Sequence, residues 1–251
     1  MSSTSEPTEA AELLLQARAL KTPCASIVER CHIASLEQAY AAQQQWQRLS
    51  IERGDRIAGY KLGLSNPAAQ AAMGLDGPLQ GVLMANAQYP AGSTLAYTDF
   101  IAPRAEIELG RSQLLAALHA VVPALEICDS AIAGWPKTLF DAVADNLSSG
   151  GYLLGTPQCE PAKIDASALT ATLELNGEQI AEGKASSAMG DPIEACLWLV
   201  RDRLRQGVSI KAGDIILTGA LTGLHPIAPG DHLVLRMGEL GEVSCRFSSA
   251  A

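Results

Sequence analysis

The chain has 251 residues, 48% of them hydrophobic and 18% charged, which suits a domain with a substantial core and excludes a disordered chain. Lys and Arg number 18 against 27 Asp and Glu, a net charge of −9. The densest basic stretch, Arg201-Asp202-Arg203-Leu204-Arg205, is broken by an acid, which argues against a general nucleic-acid binder.

The N-terminus, Met1 to Glu9, carries acids and no basic run, so no signal peptide is expected. Residues 8–20 read as a helix around Leu13, Leu14, Ala17 and Leu20, stopped by Pro23. Ser35 is placed to cap a second helix to about Arg53, whose Leu36, Tyr40, Gln43, Trp46 and Leu49 follow the helical period. Strands are expected over Ile57 to Leu64, Gly81 to Ala85, Ile107 to Gly110 and Val121 to Ile127. Leu169 to Leu175 and Glu178 to Glu182 flank Asn176-Gly177, the strongest two-residue hairpin signal. Asp191 to Gly207 reads as a helix with an Asp-Pro start and a glycine stop. Asp214 to Leu217 reads as a buried strand, and His232 to Met237 and Glu242 to Phe247 as a closing hairpin. The fold class is therefore α+β: a helical N-terminal segment, residues 1–55, and a β-rich body, residues 56–251, in one continuous fold.

The six cysteines, Cys24, Cys31, Cys128, Cys159, Cys196 and Cys245, contain no Cys-x-x-Cys pair. Several sit in apolar context, so free thiols in a reducing cytoplasm are expected. No stretch approaches the roughly 18 apolar residues of a membrane span.

The most informative stretch is Pro103-Arg104-Ala105-Glu106-Ile107-Glu108-Leu109. On a strand, Glu106 and Glu108 share a face about 7 Å apart and can converge on one cation. Taken alone, such a pair also suits a solvated strand face. Glu126 sits in the otherwise apolar Val121-Val122-Pro123-Ala124-Leu125-Glu126-Ile127, where an unpaired carboxylate is costly unless a cation or a proton neutralises it; a strand whose exposed side bears one acid is the other reading. Three carboxylates form a hard oxygen site suited to Mg2+ or Mn2+. Gly59-Tyr60-Lys61-Leu62-Gly63 places a lysine between glycines on an apolar strand. There Lys61 could meet an anion or transfer a proton, or simply snorkel to the surface.

Taken in order, Gly59 to Leu64, Pro103 to Glu108, Pro123 to Ser130 and Ala144-Asp145-Asn146-Leu147-Ser148-Ser149 resemble the 2-keto-4-pentenoate hydratase and 4-oxalocrotonate decarboxylase family, part of the fumarylacetoacetate hydrolase superfamily. Leu175 to Glu178, Met189 to Pro192, Lys211 to Asp214 and Leu217 to Thr222 extend the resemblance over residues 8–248. It implies a mixed β-roll body of the fumarylacetoacetase C-terminal type. It also implies a divalent ion, Mg2+ or Mn2+, held by Glu106, Glu108 and Glu126. The implied substrates are short 2-oxo or 2-hydroxy-dienoic acids from aromatic meta-cleavage. By position Lys61 matches the active-site lysine, Ser148 and Ser149 fall in a serine-bearing segment, and Thr222 lies near substrate. A homo-oligomer, sometimes complexed with a partner pathway enzyme, is implied as well.

The chain departs from that pattern in places. The segment from Leu109 to Pro123 is short, Arg104 replaces a lysine, and Ser130-Ala131 follows Asp129 where Ser-Arg is common. Leu79 stands where hydratases carry an acid, with Asp76 three residues earlier as the remaining candidate. Hydration needs a base for water, for which Lys61, Asp76 and a metal-bound hydroxide are candidates. Decarboxylation needs charge stabilisation and a dry pocket, which suits Leu79. The expected reaction is hydration of 2-hydroxypenta-2,4-dienoate to 4-hydroxy-2-oxopentanoate, with decarboxylation of 2-oxohex-3-enedioate as the alternative. A retro-Claisen hydrolase would need a His–Glu pair that His32, His119, His225 and His232 do not supply in sequence. A catalytically degenerate ligand-binding scaffold is the remaining reading.

Overall fold

A computed structural model describes residues 5–112, 120–156 and 164–249. Cys159, His119 and part of the short stretch between Leu109 and Pro123 lie outside the described residues.

Helix α1 (Ser5–Leu20) packs on α3 (Leu36–Glu52), with the short α2 (Ile27–Cys31) between them. Helix α1 buries Ala10, Ala11, Leu14, Leu15 and Ala17. Helix α3 buries Ala39, Ala42, Gln43, Trp46 and Ser50, one stripe at helical spacing. Ser35 caps α3 as expected, its hydroxyl accepting from the Gln38 N–H at 3.2 Å, while Gln38 Oε1 accepts from the Ala34 N–H at 2.8 Å.

The body follows as β1 (Ile57–Gly63), α4 (Pro67–Ala72), β2 (Leu79–Met84), β3 (Gln88–Tyr89), β4 (Thr94–Leu95), β5 (Arg104–Ser112) and β6 (Ala120–Cys128). Then come α5 (Leu139–Ala144), β7 (Ser149–Leu154), β8 (Thr170–Leu175), β9 (Glu178–Lys184), α6 (Pro192–Arg205), β10 (Ile215–Leu217), β11 (His225–Pro226), β12 (His232–Arg236) and β13 (Glu242–Phe247). An eight-stranded mixed sheet runs β2-β1-β10-β5-β6-β7-β3, with β11 also paired to β5. A five-stranded sheet runs β4-β13-β12-β8-β9. The β8–β9 turn has Asn176 at φ 54° and Gly177 at φ 88°, the two left-handed residues that a tight hairpin of right-twisted strands requires. Asp191 caps α6 by accepting from the Ile193 N–H at 2.7 Å.

One apolar cluster runs from Ala10 of α1 to Phe247 of β13. A smaller one, Leu83, Ala124, Tyr152, Ile215 and Leu217, lines one face of the large sheet. Buried polar groups tie the helices to the body. Gln43 donates to the Gln80 and Val143 carbonyls at 3.0 and 2.8 Å. Arg18 pairs with Asp145 at 2.7 Å and donates to the Asp129 carbonyl at 2.8 Å. Helices α2, α4 and α5 and strand β7 went unread in the sequence. The three helices span only five or six residues each, too short for a periodic pattern, and β7 opens on Ser149-Gly150-Gly151, poor strand formers. No helix among the described residues is long and apolar enough to cross a membrane.

Candidate metal centre and substrate cavity

Strands β5 and β6 pair antiparallel with Glu106 opposite Glu126 and Glu108 opposite Ala124. The two-residue period puts all three carboxylates on one face. Lys61 reaches the same face across β10, where it neighbours Leu217, which in turn neighbours Gly110. Its Nζ lies 2.5 Å from Glu126 Oε1 and 3.9 Å from Glu106 Oε1. It also donates to the Leu147 carbonyl at 3.3 Å. Lys61 is not a snorkelling surface lysine: it is 2% exposed, and Glu108 and Glu126 are 0% exposed. Two close approaches shape the surroundings. A side chain at Gly81 would meet Lys61 Cγ and Asn146 Oδ1 at 3.1 Å. Gly219, at φ 107°, donates its N–H to Glu108 Oε2 at 2.6 Å.

Burial opposes the Lys61 charge, but Glu126, Cys128, Glu106 and Glu108 outweigh it and hold the ammonium above its usual range. Burial, aided by Glu106, pushes Glu126 up to about 7 against the pull of Lys61. Burial, then Glu106 and Glu126, pushes Glu108 well above the usual carboxylate range. Glu108 Oε1 and Glu126 Oε2 are buried with no hydrogen-bond partner. Three ionised carboxylates against one ammonium leave two negative charges uncompensated, the deficit that a divalent cation fills. A cation held by Glu106 and Glu126 would also engage the orphaned Glu126 oxygen, so the residues present fit one, with Glu108 fully buried on the same face but outside the closest group of ligand atoms. One ligand atom each of Glu106, Glu126 and Cys128 lies within 4.8 Å of the other two. The Cys128 thiol donates to Glu106 Oε1 at 3.3 Å.

Above the cluster opens a cavity of about 570 Å³. Lys61, Glu106 and Cys128 face it from below, and Leu79, Leu139 and Leu147 wall it. Among the described residues lining it, Glu106 is the only carboxylate. Trp135 stands at its side under the Arg104 guanidinium, 3.9 Å from the ring centroid. Ser148 lines it from a turn in which Asn146, Leu147 and Ser148 all take left-handed φ values, 52°, 53° and 54°. Asn146 anchors that turn to β2, accepting from the Val82 N–H and donating to the Val82 carbonyl, both at 2.8 Å.

Of the residues singled out in the sequence, Lys61, Glu106, Leu79 and Ser148 line this cavity, and Glu108 and Glu126 lie beneath it, fully buried. The others are elsewhere. Asp76 is exposed on a separate cleft of about 1270 Å³ beside α3 and α6. Ser149 faces another cavity of about 420 Å³, shared with Arg18 and Trp46. Thr222 is half-buried, its hydroxyl donating to the Gly223 carbonyl at 3.2 Å, and Leu224 rather than Thr222 lines the site. His32 borders a third groove, beside Phe140. Sequence reasoning overlooked Cys128, although it follows Glu126 at the same two-residue spacing that paired Glu106 with Glu108. It also overlooked the Leu147 carbonyl, which no side-chain pattern announces.

The family described as fumarylacetoacetate (FAA) hydrolase C-terminal matches residues 104–248. A 2-keto-4-pentenoate hydratase of Paraburkholderia xenovorans (strain LB400) is 33% identical over 254 residues, covering 96% of this chain and 94% of its own. A 4-oxalocrotonate decarboxylase of Pseudomonas putida is 32% identical over 222 residues, covering 83% of this chain and 84% of its own. The solved 4-oxalocrotonate decarboxylase of Pseudomonas putida G7, complexed with magnesium and adipate, superposes with a TM-score of 0.90 at 26% identity, covering 98% of this chain and 99% of that one.

Proposed function

The chain belongs to the FAA hydrolase C-terminal family, and on that premise we propose that it is a divalent-metal-dependent lyase that hydrates 2-hydroxypenta-2,4-dienoate to 4-hydroxy-2-oxopentanoate, in the catabolism of aromatic meta-cleavage products. The observation that carries the reading is the buried cluster of Glu106, Glu108, Glu126 and Lys61 under an apolar cavity, with two carboxylate oxygens unpartnered. The near-full-length likeness to hydratases supports the choice of reaction.

Glu106, Glu108 and Glu126 would hold Mg2+ or Mn2+. The ion supplies Lewis acidity towards the carboxylate and 2-oxo end of the substrate, where negative charge develops. Lys61 offsets the one negative charge that three carboxylates and a divalent ion leave over. Held protonated by its neighbours, it serves as a fixed cation facing an anionic substrate, in a molecule whose net charge of −9 otherwise repels anions. The Leu147 carbonyl fixes where the ammonium points. Leu79, Leu139 and Leu147 exclude water from the dienoate chain, and Ser148, whose hydroxyl donates to Asp145 Oδ2 at 3.4 Å, completes that wall.

Decarboxylation of 2-oxohex-3-enedioate is the second reading, favoured by Leu79 in the wall and by the exposed position of Asp76 outside the cavity. It requires no base for water, only charge stabilisation and a dry pocket. The resemblance also supports a homo-oligomer able to join a partner pathway enzyme. The free thiols of Cys24, Cys31, Cys128 and Cys245 support a cytoplasmic location.

An ultraviolet assay with Mg2+ or Mn2+ tests the reaction. Each dienoate is offered in turn, following loss of the conjugated chromophore together with CO2 release. Hydration predicts consumption of the first substrate and no CO2 from the second. CO2 from the second selects decarboxylation, and no turnover of either overturns the lyase reading. Glu106→Ala, with the fold intact, is expected to lose both the bound ion and the turnover.

A further inference from the structure

We propose that Cys128 is a further ligand of this metal centre, binding softer divalent ions such as Co2+ and Zn2+ through sulfur alongside Glu106 and Glu126. The inference rests on the reading of the carboxylate cluster as a metal centre. It deepens that reading by adding a sulfur ligand whose preference for Co2+ and Zn2+ goes beyond the one that oxygen ligands already have.

Cys128 follows Glu126 by two residues on β6 and lies opposite Arg104 of β5, so its side chain shares the carboxylate face. It is 2% exposed, yet its residue lines the cavity above the cluster. Its Sγ is 3.3 Å from Glu106 Oε1. An oxygen ligand at about 2.1 Å and a thiolate at about 2.3 Å from one ion stand roughly 3.1 Å apart at a right angle and roughly 3.6 Å apart at the tetrahedral angle. The observed separation falls between the two. The sulfur and oxygen thus already span an edge of a coordination polyhedron without rearrangement of β5 or β6.

A second observation is independent of the thiol. Glu126 Oε2, two residues before Cys128 on the same face of β6, is fully buried and unpartnered. Glu108 differs. Its Oε2 is occupied by the Gly219 N–H, and it stands outside the close group of Glu106, Glu126 and Cys128.

The consequence depends on the ion. Mg2+ prefers oxygen, so with Mg2+ the Cys128 thiol keeps its proton and its hydrogen bond to Glu106. Co2+ and Zn2+ accept thiolate. When one of them binds, the S–H bond breaks, the proton leaves to solvent, and a sulfur–metal bond forms with no change in oxidation state. The sulfur–metal bond, less the cost of deprotonating a buried thiol, then adds to the preference for Co2+ or Zn2+ over Mg2+ that the carboxylates already give.

The test titrates Co2+ into the reduced, metal-free full chain under anaerobic conditions, for the wild type, Cys128→Ser and Cys128→Ala. Near-ultraviolet absorption reports sulfur-to-cobalt charge transfer, and calorimetry reports Co2+ and Mg2+ affinity. The expected result is a charge-transfer band in the wild type that is absent in both variants. Loss of the ligand should weaken Co2+ binding at least about tenfold, with Mg2+ affinity unchanged. Co2+ binding without the band, a band that survives in Cys128→Ala, or an equal loss of Mg2+ affinity overturns the proposal while leaving the carboxylate centre standing. Failure of the wild type to bind either ion overturns the centre and the proposal together.

Discussion

Lys61 holds the charge balance of the site. Its ammonium is the cation that faces Glu126 and Glu106 in the buried cluster. Removing one partner of a buried ion pair exposes the other to the full penalty of desolvation, about 3–5 kcal/mol. Lys61→Ala is therefore expected to destabilise the metal-free protein by about that amount, and to lower kcat with the metal still bound. Calorimetry of the ion-loaded variant beside its steady-state kinetics checks this, and an unchanged kcat removes Lys61 from the chemistry. The buried acids predict a pH dependence of opposite origin. Glu126 stands at about 7 in the folded chain, against about 4.3 when unfolded. Its contribution to stability is complete below about pH 4.3 and is lost as pH rises through about 7, on the order of 3 kcal/mol. The midpoint of thermal unfolding of the metal-free chain should thus fall between about pH 5 and pH 8. Saturating Mg2+ or Mn2+ should raise it more at the upper end, because the ion takes the ionised carboxylates. A metal-free midpoint that is flat across this range contradicts the assignment of Glu126 as a buried acid with one oxygen unpartnered.

At the scale of elements, the site depends on one strained turn. Left-handed backbone costs a non-glycine residue roughly 1–2 kcal/mol, and Asn146, Leu147 and Ser148 adopt it in succession. The turn persists because Asn146, among the non-glycine residue types that tolerate this conformation best, clamps both backbone groups of Val82. The Leu147 carbonyl and Ser148 are then presented to Lys61 and to the cavity. Asn146→Ala leaves two buried backbone groups unpaired, about 2–4 kcal/mol in all. It is expected to lower kcat with little change in metal affinity, read by denaturant unfolding alongside kinetics; a stable variant with full kcat shows that the turn does not position the site. This element also marks the limit of what the residues announced. Strands β5 and β6 were legible because apolar alternation interrupted by glutamates has few explanations, and the β8–β9 hairpin because Asn176-Gly177 demands its turn. The convergence of Glu126 on Glu106 was an inference that depended on β5 and β6 being neighbours in the right register. The left-handed turn was not legible, since nothing in Leu147 or Ser148 favours that backbone; tertiary hydrogen bonds impose it. Asp76 misled for a related reason. Leu79 borders both the cavity and the separate cleft, and the chain leaves Asp76 exposed on that cleft alone.

At the scale of the molecule, the N-terminal helices are built into the body rather than appended to it. Asp141 of α5, 1% exposed, accepts from the Ser26 hydroxyl and from the Ile27 and Val28 N–H groups of α2. Asp145 takes Arg18 of α1 together with the Ser130 hydroxyl and the Ala131 N–H. Asp141 lies in the first turn of α5 and Asp145 caps its end, and α5 leads directly into the left-handed turn beside Lys61. The helices thus hold the segment that shapes the cavity wall, and the hydrophobic cluster runs without a break from α1 to β13. We infer that the described residues of the helical segment and of the β-rich body form one cooperative unit. Its unfolding should be a single transition with equal calorimetric and van't Hoff enthalpies. Asp141→Ala strands buried donors of α2 at a cost of about 2–4 kcal/mol, and is expected to move the one midpoint down by roughly 5–10 °C. If the variant instead splits the transition in two, with the β-rich body melting at the wild-type midpoint, the helices are a separate domain and their hold on the cavity wall is not energetic.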